Sequence, residues 1–282
     1  MITVSYAKVM STLARQAHAA GKRIGFVPTM GALHEGHLSL VRAARQQSDV
    51  VVCSIFVNPT QFGPTEDLSQ YPRNFERDRD MLAGEKTDYI FYPSVDEMYP
   101  PGATTWVHVE GLSEKLDGKS RPGHFRGVST VVSKLFHLVQ PDKAYFGQKD
   151  AAQVAVIRKM VHDLNFDLEI VVCPIVREPD GLAMSSRNSY LDPTQRKQAL
   201  ALSRSLKQIQ VMIERGELKA DALIRAGKQT IAAESGARLD YFEIVDPDTL
   251  DPQEGVSKGA LVAVAAYVGS TRLIDNLLVT PR

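Results

Sequence analysis

The stretch PTMGALHEGH, Pro28 to His37, carries His34 and His37 on either side of Gly36. It lies between a short apolar run, Ile24 to Val27, and an amphipathic one, Leu38 to Ala44. A strand-to-helix turn of this make-up suits phosphate. A helix N-terminus presents N–H groups and the positive end of a dipole. Gly36 leaves room for a ligand to approach the backbone, and imidazoles add further donors. Such donors stabilise charge that develops as a phosphoanhydride bond breaks. Other chemistries fit less well. Gly31 and Gly36 have the glycine spacing of a P-loop, but His37 and Leu38 stand where that motif needs Lys and Ser or Thr. The DGKS run, Asp117 to Ser120, has the Lys-Ser pair without the earlier glycine. Zinc-binding helices space their histidines more widely, with further ligands nearby, and no dense ligand cluster follows here.

These residues need elements to position them. Strand-like apolar runs are expected at Ile24 to Val27, Val50 to Val57, Tyr89 to Tyr92, Lys143 to Phe146 and Leu168 to Cys173. Helical spacing is expected over Tyr6 to Ala20 (with Val9, Leu13, Ala17 and Ala20 on one face), Leu38 to Gln47, Asn74 to Ala83, Gly127 to Val139 and Ala151 to Leu164. Such alternation predicts a parallel sheet covered by helices, with ligands at the carboxyl ends of the strands. The polar turns there are PTMGALHEGH, NPTQFG, GQKD and VREPDGLAMSSRN. Beyond Asn188 come two helical stretches, Asp192 to Glu214 and Leu218 to Ala233, then RLDYFEIVD, ALVAVAAYV and RLIDNLLV with no helix between them. The expected fold is α/β: a Rossmann-like parallel sheet domain, residues 1–180, followed by a smaller α+β C-terminal lid domain, residues 181–282.

Composition narrows the field. Lys plus Arg and Asp plus Glu each number 33, so the formal net charge is zero. That argues against a general grip on nucleic acid or on an acidic membrane. No apolar run approaches the roughly 20 residues that span a bilayer. Cys53 and Cys173 sit in β-branched runs and are expected to be buried free thiols. Low cysteine usage without a leading signal segment points to the cytoplasm.

HEGH resembles the HxGH signature of the nucleotidyltransferase-like superfamily, which includes class I aminoacyl-tRNA synthetases. AMSSRN, Ala183 to Asn188, resembles that superfamily's KMSKS-type loop, with Arg187 near the expected cation. PTMGALHEGHLSL, SIFVNPTQFGPTEDLSQYPR, RPGHFRGV, YFGQKDAAQ and REPDGLAMSSRN resemble, in that order and over almost the whole chain, the blocks of the pantothenate synthetase family. The resemblance implies ATP-dependent, AMP-forming condensation of (R)-pantoate with β-alanine. The charge of pyrophosphate predicts Mg2+ with ATP, and with no dense carboxylate cluster in the sequence the metal would be held mainly by the nucleotide. It implies ATP contacts at Met30, Gly31, Ala32, Leu33, His34, Glu35, Gly36 and His37, at Gly147, Gln148, Lys149 and Asp150, at Val176, and at Met184, Ser185, Ser186 and Arg187. His37, His34, Lys149 and Arg187 would serve the chemistry. Gln61, Gln153, Phe56 and Met30 would hold pantoate, and Gln61 also β-alanine. Gln61 and Gln153 offer amide donors and acceptors for hydroxyls and carboxylate; Phe56 and Met30 offer apolar walls for a gem-dimethyl group. A homodimer is expected, with no nucleic-acid or membrane partner. Arg121, His124 and Arg126, just before a helix, would either meet the carboxylate of β-alanine or pantoate or only shape a loop, and stand outside the expected catalytic set. The segment around Arg187 is expected to be mobile and to close over bound nucleotide. Two alternatives remain open at this point. One is a nucleotidyltransferase without an amide-forming step. The other is a nucleotide-binding regulatory module.

Overall fold

The computed structural model describes residues 1–64 and 66–280. Its contacts divide the chain into two compact units. The first holds Met1–Gly147 and Val156–Pro174; the second holds Gln148–Ala155 and the chain from Ile175 onward.

The first unit runs β1 (Ile2–Val4), α1 (Ala7–Ala19), β2 (Ile24–Thr29), α2 (Glu35–Gln47), β3 (Val50–Ile55), α3 (Phe75–Gly84), β4 (Tyr89–Phe91), α4 (Val95–Met98), α5 (Asp117–Ser120), α6 (His124–Val139) and β5 (Lys143–Gly147). Helix α7 (Ala151–Asp163) leads on to β6 (Glu169–Cys173). The six strands form one parallel sheet in the order β1-β4-β3-β2-β5-β6. All six residues of β3, VVVCSI, are buried. A strand covered on both faces needs such a continuous apolar run. From β2 the sheet grows to β3 on one side and to β5 on the other. The carboxyl end of β2 therefore lies at a topological switch point, where open α/β sheets bind ligands.

One local expectation is corrected, and two short elements join those the sequence announced. β1, only three residues long, adds an edge strand beside β4, with Ile2 opposite Tyr89. Helix α1 buries Met10, Ala14 and Ala17, while Val9 and Ala20 are exposed. The covered stripe is thus turned from the expected one toward small residues. DGKS forms α5, with Asp117 and Gly118 buried. Both cysteines are buried free thiols, and burial pushes Cys53 up to about 12, which leaves it unreactive.

In the second unit, α8 (Pro193–Glu214) and α9 (Ala220–Ala232) precede β7 (Ala237–Val245), β8 (Ala260–Val268) and β9 (Thr271–Val279). Asp192 caps α8 in a capping box with Gln195, and Pro193 opens the first turn. The strands form an antiparallel sheet in sequence order. Leu202, Leu206 and Ile209 of α8 share a core with Leu223 of α9 and with Phe242, Val262 and Val264. Among the described residues, no helix is long and apolar enough to cross a membrane.

Candidate active site

The turn between β2 and α2 is built around two left-handed residues. Gly31 has φ +81 and Ala32 φ +50. Glycine accepts this region freely, whereas alanine is strained there by about 1–2 kcal/mol. A Cβ on Gly31 would also lie 3.0 Å from both the Asp78 carboxylate and Ile55. Asp78, on α3 and 1% exposed, holds the turn: its carboxylate accepts the N–H of Ala32 at 2.8 Å and of Leu33 at 2.9 Å. Arg77 donates to the Leu33 carbonyl at 3.0 Å, and the Thr29 hydroxyl accepts from the Gly31 N–H at 3.2 Å.

His34 then caps α2. Its Nδ1 accepts the Gly36 N–H at 3.2 Å, and Nδ1 of His37 accepts the His34 N–H at 3.3 Å. The two rings lie 4.1 Å apart between centroids. An accepting Nδ1 fixes the tautomer that carries its proton on Nε2. The sequence suggested open backbone donors at this helix start; the cap instead engages the Gly36 N–H, so the imidazoles are the groups it orients. Glu35 turns along the helix to pair with Arg42.

Gln61 lies in the short 3-10 turn Pro59–Gln61 and is buried. Its Nε2 donates toward Met30 Sδ at 3.1 Å, so these two expected site residues meet. Phe56 is buried 6.3 Å from the Tyr99 ring. Sequence reasoning missed the residue that organises this corner. Asn58, 1% exposed, donates to Gln61 Oε1 and to the Gly127 carbonyl, each at 3.1 Å. Its own Oδ1 accepts from the Tyr99 hydroxyl at 3.0 Å and from Thr60. Burial pushes Tyr99 up, so its hydroxyl keeps the donated proton. The available signal was Asn-Pro closing an apolar strand, a turn-forming pair.

Arg121 and His124 now have a place: both bond the Gln61 carbonyl, His124 Nδ1 at 2.8 Å and Arg121 at 3.3 Å. Glu66 accepts a forked pair from Arg121. Burial alone would raise its carboxyl, but Arg121 outweighs burial and holds it below the ordinary range. Gly127 lets α6 approach this turn: a Cβ there would sit 2.4 Å from the Thr60 carbonyl. Arg126 instead lies over Trp106.

In the second unit, Gln148, Lys149 and Asp150 form a 3-10 turn that runs into α7, whose first turn carries half-buried Gln153. The Lys149 ammonium lies 3.7 Å from Asp150. At Gly147, which precedes this turn, an added Cβ would meet no atom within 4 Å. Residues 176–184 form a narrow hairpin. The Met184 N–H bonds the Val176 carbonyl at 3.0 Å, the Glu178 N–H bonds the Leu182 carbonyl at 2.8 Å, and Gly181, with φ +96, makes the tip. Ser185 caps the next turn, its hydroxyl accepting the Arg187 N–H at 3.3 Å. Ser186 and Arg187 lie within that turn, Ser186–Tyr190.

The histidine-capped helix thus starts at the switch point of the parallel sheet, where open α/β sheets bind ligands. Residues 2–278 match the family model described as Pantoate-beta-alanine ligase. The chain is 65% identical over 269 residues to a pantothenate synthetase of Koribacter versatilis, covering 95% of this chain and 92% of that one. It is similar to the crystal structure of pantothenate synthetase from Thermus thermophilus, with TM-score 0.95, 48% identity and 100% of both chains covered. A pantoate-beta-alanine ligase from Francisella tularensis, complexed with beta-gamma ATP and beta-alanine, matches with TM-score 0.80 and 36% identity over 99% of this chain and 97% of that one. The chain belongs to the pantoate-beta-alanine ligase family.

Proposed function

We propose that this protein condenses (R)-pantoate with β-alanine at the expense of ATP, through a pantoyl adenylate. A carboxylate is a poor acyl donor because oxide would have to leave. In the first step a pantoate carboxylate oxygen attacks the α-phosphorus, and the bond to pyrophosphate breaks. In the second, the β-alanine amine attacks the acyl carbon, the C–O bond to AMP breaks, and the nitrogen releases its proton. The products are pantothenate, AMP and pyrophosphate.

The histidine-capped turn carries this reading. With the proton on Nε2, His34 and His37 act as fixed N–H donors to the phosphates, a preorganised arrangement that needs no rearrangement as charge develops. Lys149 and Arg187 serve as cations for phosphate. Gln61 and Gln153 read the hydroxyls and carboxylate of pantoate, and Phe56 and Met30 form walls for its methyl groups. Gln61 also meets β-alanine. Mg2+ would accompany ATP as part of the substrate and would supply neutralisation of phosphate charge. In this reading the nucleotide's own oxygens would hold the ion. A cytoplasmic homodimer completes it, with light scattering in solution as the check on the dimer.

The test is product analysis with ATP, pantoate and β-alanine. Pantothenate with AMP and pyrophosphate is expected. ADP and phosphate would overturn the adenylate route, and AMP formation without amide would favour the nucleotidyltransferase alternative.

A further inference from the structure

Strand β9 buries two adjacent polar side chains: Asp275 is 2% exposed and Asn276 4%. Successive residues on a strand point to opposite faces, so the pair reaches two different neighbours. Asp275 accepts a forked pair from Arg177, at 2.6 and 3.0 Å. Arg177 also donates to the Gly181 carbonyl at 3.1 Å, and its backbone bridges Ala183 across the hairpin. Asn276 Nδ2 donates to the carbonyls of Gln148 and Lys149, each at 2.9 Å, while its Oδ1 accepts from Gln148 Nε2 at 3.1 Å. The Asn276 N–H bonds the Asp275 carboxylate at 2.8 Å, joining the two sets. One strand thus anchors both the turn that carries Lys149 and the hairpin that leads to Ser185 and Arg187.

Buried polar groups need partners, and a fully satisfied network specifies a single arrangement. We infer that Asp275 and Asn276 are positioning residues for ATP: they set the spacing of the two cation-bearing segments, Lys149 through Asn276 and Arg187 through Asp275 and Arg177. This rests on the proposed role of those cations in adenylation.

Asn276→Asp separates positioning from packing. It keeps the shape but removes both Nδ2–H donors and faces two carbonyls with an acceptor. Asn276→Ala removes the group. Both should slow pantoate-dependent adenylation and raise the KM for ATP, together by roughly ten- to hundredfold, the effect of two lost hydrogen bonds. Amide formation from supplied pantoyl adenylate and β-alanine should stay near the parent rate. Asp275→Asn, which weakens the Arg177 fork, should show the same split. Thermal melts confirm that the compared variants are folded. Equal losses in both half-reactions would mean a merely structural role. Parent-like adenylation by a folded Asn276→Asp would overturn the inference. If the parent protein shows no pantoate-dependent exchange of pyrophosphate into ATP, the adenylate reading fails first and this inference falls with it.

Discussion

The β2–α2 turn and the 176–190 segment both carry residues assigned to phosphate, and they are held by opposite means. The turn is braced from inside. Its anchor, Asp78, is buried, and two left-handed residues, Gly31 and the strained Ala32, close over it. The segment is braced largely from outside. Arg196 of α8 pairs with Glu178 and Asp180, whose side chains are 26% and 37% exposed. Asn188 adds bonds to Glu178 at 2.8 Å and to the Ala183 carbonyl at 3.1 Å. The Arg177–Asp275 pair reaches a buried carboxylate. A buried carboxylate that accepts backbone N–H groups is costly to remove. Exposed ion pairs are worth little and weaken with salt. The first region is built to stay fixed, and the second to hold its shape at low cost.

The largest expected effect separates the chemistry of the two regions. His37→Ala should slow adenylation by roughly a hundred- to thousandfold, the size of one lost preorganised donor. Supplied pantoyl adenylate should largely restore amide formation. Arg187→Ala should also slow adenylation more than it weakens ground-state ATP binding, and Arg187→Lys should restore part of the rate, because the planar fork is lost. A His37→Ala enzyme equally impaired with preformed adenylate would remove the histidine from the phosphate step.

A smaller effect tests the brace itself. Asp78→Asn keeps the volume but sets an amide against one of two buried N–H groups. It should cost about 2–3 kcal/mol in denaturant unfolding and slow adenylation as well. Parent-like stability would show that the turn holds itself.

The smallest effect belongs to the outer brace. Arg196→Ala should cost no more than about 1 kcal/mol, less at high salt. The bond with Arg196 is the main cause that holds the Glu178 carboxyl below the ordinary range. A depressed folded-state pKa means stabilisation fully present above the unfolded value, about 4.3, and lost as pH falls through the folded value. Amide-exchange protection across 178–188 should therefore be flat from neutrality to about pH 5 and should fall only below about pH 4. A loss centred near neutrality would assign the brace to a different group.

Legibility in the sequence follows the same division. The histidine turn could be read because its parts are consecutive and its flanking runs announce a strand and a helix. The parallel sheet could be read because β3 is apolar at every position but Ser54. What braces the sites could not. Asp78 acts on a turn 46 residues away, and Asp275 pairs with Arg177 across 98 residues. Such pairings leave no local period, and an acidic residue within an exposed-looking helix reads as solvated. The face of α1 was misread for a related reason: Val9 and Leu13 looked like core by size, whereas the close packing selects Met10, Ala14 and Ala17. β1 escaped because three residues establish no alternation.

The central claim is that the pantoate carboxylate itself attacks the α-phosphorus. The most direct measurement follows oxygen. Pantoate labelled with 18O in its carboxylate is turned over with ATP and β-alanine, and the products are analysed by mass spectrometry. One labelled oxygen should appear in the phosphate of AMP, because the C–O bond breaks only when the amine displaces it. Label in inorganic phosphate, or AMP with no label, would contradict the account.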